Sequence, residues 1–144
     1  MAKGASISGF PEWLPSERVV EQRVIDTLRK VFELNGFIGI ETRAVETGAS
    51  LLKKGETSKE IYLLSRLQEV GHESDTPIEE RLGLHFDLTV PLSRYVVEHS
   101  GALAFPFKRW QIQKVWRGER PQEGRFREFP TTHNVTYAYV VAGK

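Results

Sequence analysis

The segment Phe107–Phe129, with the sequence FKRWQIQKVWRGERPQEGRFREF, combines an alternating strand with a loop rich in arginine. Between Arg117 and Glu128 the loop holds four arginines against three glutamates, interrupted by two glycines and a proline that disfavour a helix. Guanidinium groups hold phosphate oxygens in a bidentate fork. The segment therefore predicts a strand and a loop that bind a phosphorylated ligand.

Alternation along the strand predicts its two faces, because successive side chains of a strand point to opposite sides. One face is apolar and holds Trp110, Ile112 and Trp116. The other face is polar and holds Arg109, Gln111, Gln113 and Arg117. Arg117 is thus expected to project from the polar face at the mouth of a hairpin.

The order of residues in the loop favours a ligand site over the alternative interpretation, a solvated and charge-balanced hairpin. The order Trp116-Arg117-Gly118-Glu119, then Arg125, then Phe129 resembles motif 2 of the class II aminoacyl-tRNA synthetases. Upstream, LHFDLTVP at 84–91 and GIETRAVE at 39–46 are similar to stretches of histidyl-tRNA synthetases in the same order. The three ordered matches together resemble the catalytic part of that family.

The resemblance implies a role for each motif 2 residue. Arg117, the predicted catalytic residue, would contact the α-phosphate of ATP and the substrate carboxylate. Glu119 and Arg125 would contact the adenine edge and the outer phosphates, and Phe129 would stack on the adenine ring. The reaction joins a carboxylate to the α-phosphate with loss of pyrophosphate, and it needs charge stabilisation more than a base.

Asp87 and Thr89 match positions that hold the histidine α-amino group in the family. A carboxylate beside a hydroxyl suits an ammonium group. Alternation over Leu84–Thr89 predicts a strand that carries both side chains on one face. Without the resemblance, Asp and Thr just before Pro91 would be interpreted as a helix cap and a turn. His85, on the same predicted face, is assigned no role.

Periodicity predicts an α+β fold, an antiparallel sheet with flanking helices. Ser16 is expected to cap a helix that ends at the stop signal Asn35-Gly36. A second helix is expected to hold Pro91 in its first turn and to run to about Glu98. Predicted strands cover residues 37–42, 60–64, 84–89, 105–116 and 131–141. The resemblance implies a partial class II synthetase catalytic fold.

After Phe129 the sequence departs from the family pattern. Thr131 stands where the family has an amine-binding glutamine, and Val135 stands near an acidic residue that approaches the imidazole of histidine. Valine cannot accept a hydrogen bond from imidazole. The predicted organisation is a leader at 1–15, a partial synthetase catalytic domain at 16–129 and a divergent, strand-like tail at 130–144.

Two functions remain open from the sequence. The first is the catalytic fragment of a histidine-tRNA ligase, which activates histidine with ATP to histidyl adenylate for transfer to tRNA. The second is a non-catalytic synthetase-like module for ATP binding, dimerisation or regulation, since the sequence lacks the family's motif 3 and second histidine loop. Weak or no turnover is expected from the chain alone.

The composition of the 144 residues fits one globular domain, for which the cytoplasm is the expected location. No apolar run approaches the length of a membrane span. There is no cysteine, and the histidines lack partners at metal-ligand spacing, so no protein-held metal is predicted. Mg²⁺ is expected to arrive with ATP as the substrate complex. The resemblance implies histidine, ATP and the tRNA for histidine as partners.

Self-association is expected at two places. In the family, the first helix and the strand after it form motif 1, which builds the homodimer interface. The same helix and strand would also suit the core of an ordinary monomer. In the tail, Tyr137, Tyr139 and Val141 alternate on one face with no later strand to cover them, which favours association through an unpaired edge.

Overall fold

The computed structural model describes residues 6–53, 59–69, 76–120, 122 and 124–137. Within these ranges the chain forms three α-helices and six strands, and the strands make up two sheets of three strands each. The helices are α1 Pro15–Leu34, α2 Gly48–Leu52 and α3 Thr89–Glu98. The strands are β1 Ile38–Gly39, β2 Val45–Thr47, β3 Leu63–Leu64, β4 Leu82–Leu84, β5 Phe107–Trp116 and β6 Glu128–Tyr137.

The first helix is confirmed, with a start that differs from the prediction. It begins at Pro15, whose missing N–H is harmless in the first turn. Leu14, rather than Ser16, is the N-cap, and its backbone N–H donates to Glu17 Oε2 at 2.9 Å. The helix ends as predicted, because Gly36 adopts a φ of +75° that disfavours other residues.

Two apolar stripes run along α1. Ile25, Leu28 and Phe32 are half-buried, and the Phe32 ring stacks 6.2 Å from that of Trp110 on β5. Val20, Val24, Val31 and Leu34 form a second stripe that is exposed. The stripes separate because each helical residue advances by about 100°, which turns the valines away from the sheet. The exposed stripe of α1 therefore remains available for contact with another surface.

The larger sheet has the order β1-β5-β6. β5 and β6 pair antiparallel over ten residues, from Phe107↔Tyr137 to Trp116↔Glu128. The predicted strand at 37–42 shortens to Ile38–Gly39, and it pairs parallel with β5. The second sheet, β2-β4-β3, is antiparallel. The α+β prediction is confirmed. In the described sheets, the parallel pairing of β1 with β5 is the one departure from the predicted antiparallel arrangement.

The hairpin strands fall close to their predicted places. β5 begins two residues later than predicted, and β6 begins at Glu128 instead of Thr131. Residues 138–144 of the predicted tail lie outside the described residues, as does the side chain of Tyr137. In the order β1-β5-β6 the last strand is an edge, which is where a residue such as Pro130 is tolerated.

The predicted strand at Leu84–Thr89 is wrong beyond its first residue. β4 ends at Leu84, and Thr89 is already the first residue of α3. Asp87 Oδ1 accepts the backbone N–H of Thr89 at 2.9 Å and that of Val90 at 3.5 Å. These two bonds satisfy free N–H groups of the helix start, so the backbone turns instead of extending.

The polar face of β5 is fully buried in its first half and half-buried toward Arg117. Arg109 and Gln111 have no exposed surface, and Gln111 Nε2 donates to Thr42 Oγ1 at 2.9 Å. Arg109 donates to the carbonyl oxygen of His133 at 3.1 Å and contacts its Nδ1 at 2.7 Å. The predicted division into two faces is confirmed, and both buried side chains form hydrogen bonds inside the fold.

A buried ion pair joins β2 to α3. The side chain of Glu46 has no exposed surface, and Arg94 Nε donates to both of its carboxylate oxygens at 2.9 and 3.0 Å. Glu98 binds the same guanidinium at 2.6 Å from an exposed position. Burial alone would lower the pKa of Arg94, but the hydrogen bonds with Glu46 and Glu98 raise it. The pair holds α3 in register with the smaller sheet.

Candidate active site

Arg117 lies at the mouth of the hairpin, as the alternation predicts. Its backbone N–H donates to the carbonyl oxygen of Arg127 at 2.8 Å, which continues the ladder past the end of β5. Its guanidinium carbon lies 4.5 Å from the ring centroid of Phe86 and 5.1 Å from that of Phe129. Both distances are in the range of cation–π contact. The structure thus brings Arg117 and Phe129 together, and it adds Phe86 to them.

Glu119 and Arg125 face each other across the loop. An Arg125 nitrogen lies 3.8 Å from a Glu119 carboxylate oxygen, and the Arg125 side chain is largely exposed. Arg127 Nε donates to the carbonyl oxygen of Glu119 at 2.9 Å, which fixes the backbone there. An exposed ion pair with such a long distance between its charged atoms contributes little stability, so the two side chains can separate to contact a ligand.

The register of the hairpin places the divergent positions on the site's face of the sheet. Directly opposite residues of an antiparallel pair share a face. Phe129 is opposite Val115, Thr131 is opposite Gln113, and Val135 is opposite Arg109. All of these residues lie on the face that ends in Arg117. The positions predicted to depart from the family pattern, Thr131 and Val135, therefore lie on the same face of the sheet as the candidate site.

Asp87 and Thr89 lie at the start of α3, directly after Phe86. Leu88 is the N-cap residue of α3, and the Asp87 side chain just before it accepts the first free N–H groups of the helix, close to the capping role that its residue type alone suggests. A carboxylate can accept further hydrogen bonds beyond those two. Capping and ammonium binding are therefore compatible at Asp87. The two roles differ in their need for charge.

Replacing Asp87 tests both roles. In Asp87→Asn the amide oxygen still caps α3, so the free energy of unfolding should change by less than about 0.5 kcal/mol, whereas Asp87→Ala should lose about 1 kcal/mol. Both variants should lose histidine binding, because neither carries the negative charge that pairs with the ammonium group of histidine. Urea unfolding and histidine titration measure the two effects. An Asp87→Asn protein that binds histidine like the wild type would contradict the binding role.

His85 shows a feature that the sequence did not indicate. Its side chain is fully buried, its Nε2 lies 2.7 Å from the carbonyl oxygen of Lys114, and its ring packs 5.4 Å from that of Trp116. The backbone carbonyl of His85 accepts from Trp116 N–H at 3.2 Å. His85 thereby links the end of β4 to the end of β5, which positions Phe86 beside Arg117.

A cleft of about 730 Å³ lies between α1, residues 11–13 and the hairpin, and Phe129 of the candidate site is part of its lining. Its lining includes Glu128, whose carboxylate accepts hydrogen bonds from Lys114 at 2.6 Å and from Trp116 at 2.8 Å. The hydrogen bond from Lys114 lowers the pKa of Glu128 most, burial opposes it, and the bond from Trp116 adds to it. Since these charges are already paired, the cleft is a weaker candidate for a phosphate site than the hairpin mouth.

Comparison with known proteins relates this geometry to one family. The chain is 94% identical over 129 residues to the histidine-tRNA ligase of Bifidobacterium animalis subsp. lactis and 65% identical over 136 residues to that of Micrococcus luteus. The chain belongs to the histidyl-tRNA synthetase family. Each match covers 90% of this chain, but the chain spans only about 28% and 30% of the two ligases. No family model matches the chain.

Solved structures agree with the assignment to the histidyl-tRNA synthetase family. The crystal structure of histidyl-tRNA synthetase from Nostoc sp. PCC 7120 superposes with a TM-score of 0.72 and 42% identity, covering 90% of this chain and 28% of that one. A pyrrolysyl-tRNA synthetase from Desulfitobacterium hafniense has a TM-score of 0.63 at 16% identity, which shows likeness of fold alone. The predicted partial class II catalytic fold is confirmed.

Two further properties of the described residues bear on the site. No helix in the described ranges is both long and apolar enough to cross a membrane. Within the same ranges, no three His, Cys, Asp or Glu side chains cluster in a way that would hold a metal ion.

Proposed function

We propose that this chain forms part of the catalytic domain of a histidine-tRNA ligase, and that it binds ATP and histidine for the formation of histidyl adenylate. The observation that carries the proposal is the guanidinium of Arg117, held between two aromatic rings at the mouth of the hairpin. Arg117 would bind the α-phosphate and the histidine carboxylate, and Phe129 would stack on adenine. Glu119 and Arg125 would contact the adenine edge and the outer phosphates.

The remaining roles follow from the same proposal. Asp87 and Thr89 would bind the α-amino group of histidine, and Mg²⁺ would enter with the phosphates of ATP. The complete ligase would transfer histidine to its tRNA in the cytoplasm. We assign residues 16–129 to the catalytic domain and residues 130–144 to a divergent tail. The non-catalytic alternative is not favoured, because the relatives of highest identity reported above are named as ligases.

Histidine-dependent exchange of pyrophosphate into ATP tests the proposal, because it measures reversible adenylate formation without tRNA. Exchange that requires histidine would support the assignment. Because the chain spans less than a third of its relatives, ATP binding by calorimetry is measured in parallel. A chain that shows neither exchange nor ATP binding would contradict the proposal.

We also propose that α1 mediates dimerisation through its exposed stripe. Val20 and Val24 are more than half exposed, and Leu34 is 86% exposed at the end of the same stripe. A second copy of the chain could bury these side chains against each other, which favours association. Val24→Lys should therefore shift the protein to monomer in sedimentation velocity, because a buried lysine charge is costly. Gln22→Lys, on another side of α1, is the matched control and should leave the dimer unchanged.

A further inference from the structure

Phe86 contacts Arg117 in two ways, although it lies outside the hairpin. Its ring faces the guanidinium at 4.5 Å, closer than the ring of Phe129. Its backbone carbonyl oxygen lies 3.4 Å from Arg117 Nε, a long hydrogen bond. An arginine side chain has many rotamers, and a ring face together with an acceptor for Nε restricts them. Among the described residues, no side chain or carbonyl group forms a hydrogen bond with the two terminal nitrogens of the guanidinium, which leaves them to a ligand.

The second ring, that of Phe129, has another role in the proposed site. If adenine stacks on Phe129, that ring face is no longer available to Arg117. Phe86 lies on a different segment and can hold the guanidinium while adenine is bound. The backbone at Phe86 is itself fixed, since the adjacent His85 carbonyl accepts from Trp116 N–H and the adjacent Asp87 caps α3.

We infer that Phe86 is a positioning residue that orients the guanidinium of Arg117 toward the phosphate of ATP, an inference that rests on the proposed ATP site. The same turn carries Asp87, the proposed ligand of the histidine ammonium. The turn at Phe86 and Asp87 would therefore have two tasks. It would place the carboxylate of Asp87 for the histidine ammonium, and it would orient the guanidinium of Arg117 for the phosphate and the histidine carboxylate. Phe86 contributes through its π face, so an aliphatic side chain of similar size cannot replace it.

Substitutions of Phe86 in the full 144-residue chain test the inference by ATP titration with Mg²⁺. Phe86→Leu should weaken ATP binding about fivefold, since a cation–π contact of this kind contributes about 1 kcal/mol. Phe86→Tyr keeps the ring face and should bind within about twofold of the wild type. Phe126→Leu is the matched control. Phe126 lies in the hairpin loop, but its ring packs against that of Trp13, which precedes α1.

Two further measurements separate orientation from general stability. In the Arg117→Ala background, Phe86→Leu should have no further effect on ATP affinity, since the double-mutant cycle removes the shared interaction. The Nε–H resonance of Arg117 in the free protein, assigned by its loss in Arg117→Ala, should show a ring-current shift that Phe86→Leu reduces. Additive effects of the two substitutions, or an Nε–H signal indifferent to Phe86→Leu, would overturn the inference.

The outcomes also distinguish this inference from the proposed function. If the wild-type chain binds ATP and Arg117→Ala strongly weakens binding while Phe86→Leu binds normally, the role of Phe86 is overturned and the ATP site stands. If the wild-type chain does not bind ATP, the proposed site and the role of Phe86 within it are both overturned.

Discussion

Arg117→Ala is expected to lower the affinity for ATP about a hundredfold, and to reduce pyrophosphate exchange at least as much. The guanidinium would make two charge-assisted hydrogen bonds to the phosphate, and each contributes about 1.5 kcal/mol or more. Arg117→Lys should lose about tenfold, because an ammonium keeps the charge but not the planar fork. Isothermal titration of ATP with Mg²⁺ measures both effects.

Arg120→Ala is the matched control for this prediction. Arg120 is exposed in the same loop. Its replacement by alanine removes the same positive charge from the chain as Arg117→Ala does. If general attraction of the anion explained binding, the two alanine variants would weaken it equally, and salt would screen both effects. Equal losses, or an unchanged affinity in Arg117→Ala, would exclude Arg117 from the site.

Glu46→Gln is expected to destabilise the fold by about 3 kcal/mol, the largest stability effect predicted for a single substitution here. The carboxylate of Glu46 is fully buried and accepts two hydrogen bonds from Arg94, whose own side chain is only 16% exposed. A neutral amide leaves the buried guanidinium without its main counter-charge. Urea unfolding measures the loss in the free energy of unfolding, provided that the dependence of this free energy on urea concentration has the same slope in both proteins.

Glu98→Gln removes the other partner of the same guanidinium and serves as the comparison. Its carboxylate is 46% exposed, and an exposed pair of this spacing on a helix contributes about 0.5 kcal/mol. The two variants make the same chemical change to partners of Arg94 that differ in burial. Equal losses of stability in both would show that burial of Glu46 is not what makes the pair matter.

The hairpin was predictable because its signals are local. Alternation at Trp110 and Ile112 defines the strand and its faces, and the glycines and proline after Arg117 define the loop. The helix stop at Gly36 is equally local, since it depends on the φ of a single residue. The first helix and β5 agree with their predictions to within two residues at each end, and β6 begins three residues before its predicted start.

The segment at 84–89 shows where local reasoning fails. Alternation there predicts a strand, but a side chain of Asp87 offers the backbone a competing set of hydrogen bonds, and the helix begins at Thr89. The residue types there are compatible with both a strand and the start of a helix. Periodicity predicted the strand, which is wrong, because hydrogen bonds from one side chain can override an alternation of only six residues.

The contacts that complete the site could not be derived from residue patterns, because they join distant parts of the chain. Phe86 meets Arg117 across 31 positions, and Glu46 meets Arg94 across 48. Neither pair leaves a periodic signal. The burial of Arg109 likewise depends on His133 in the opposite strand. The resemblance implied roles for residues of the hairpin, but it did not indicate which residues from other parts of the chain contact them.

The start of the chain has a practical bearing on expression and labelling. The carbonyl oxygen of Gly9 accepts the backbone N–H groups of Arg127 and Glu128, at 2.7 and 3.1 Å, so residues ahead of α1 brace the returning arm of the hairpin loop. Any side chain at position 9 would strike the stem of Arg127 and would also need a φ of +85°. Trimming the gene back to Pro15, as a helix-based boundary suggests, would discard that brace. Affinity tags and cleavage sites belong upstream of Gly9.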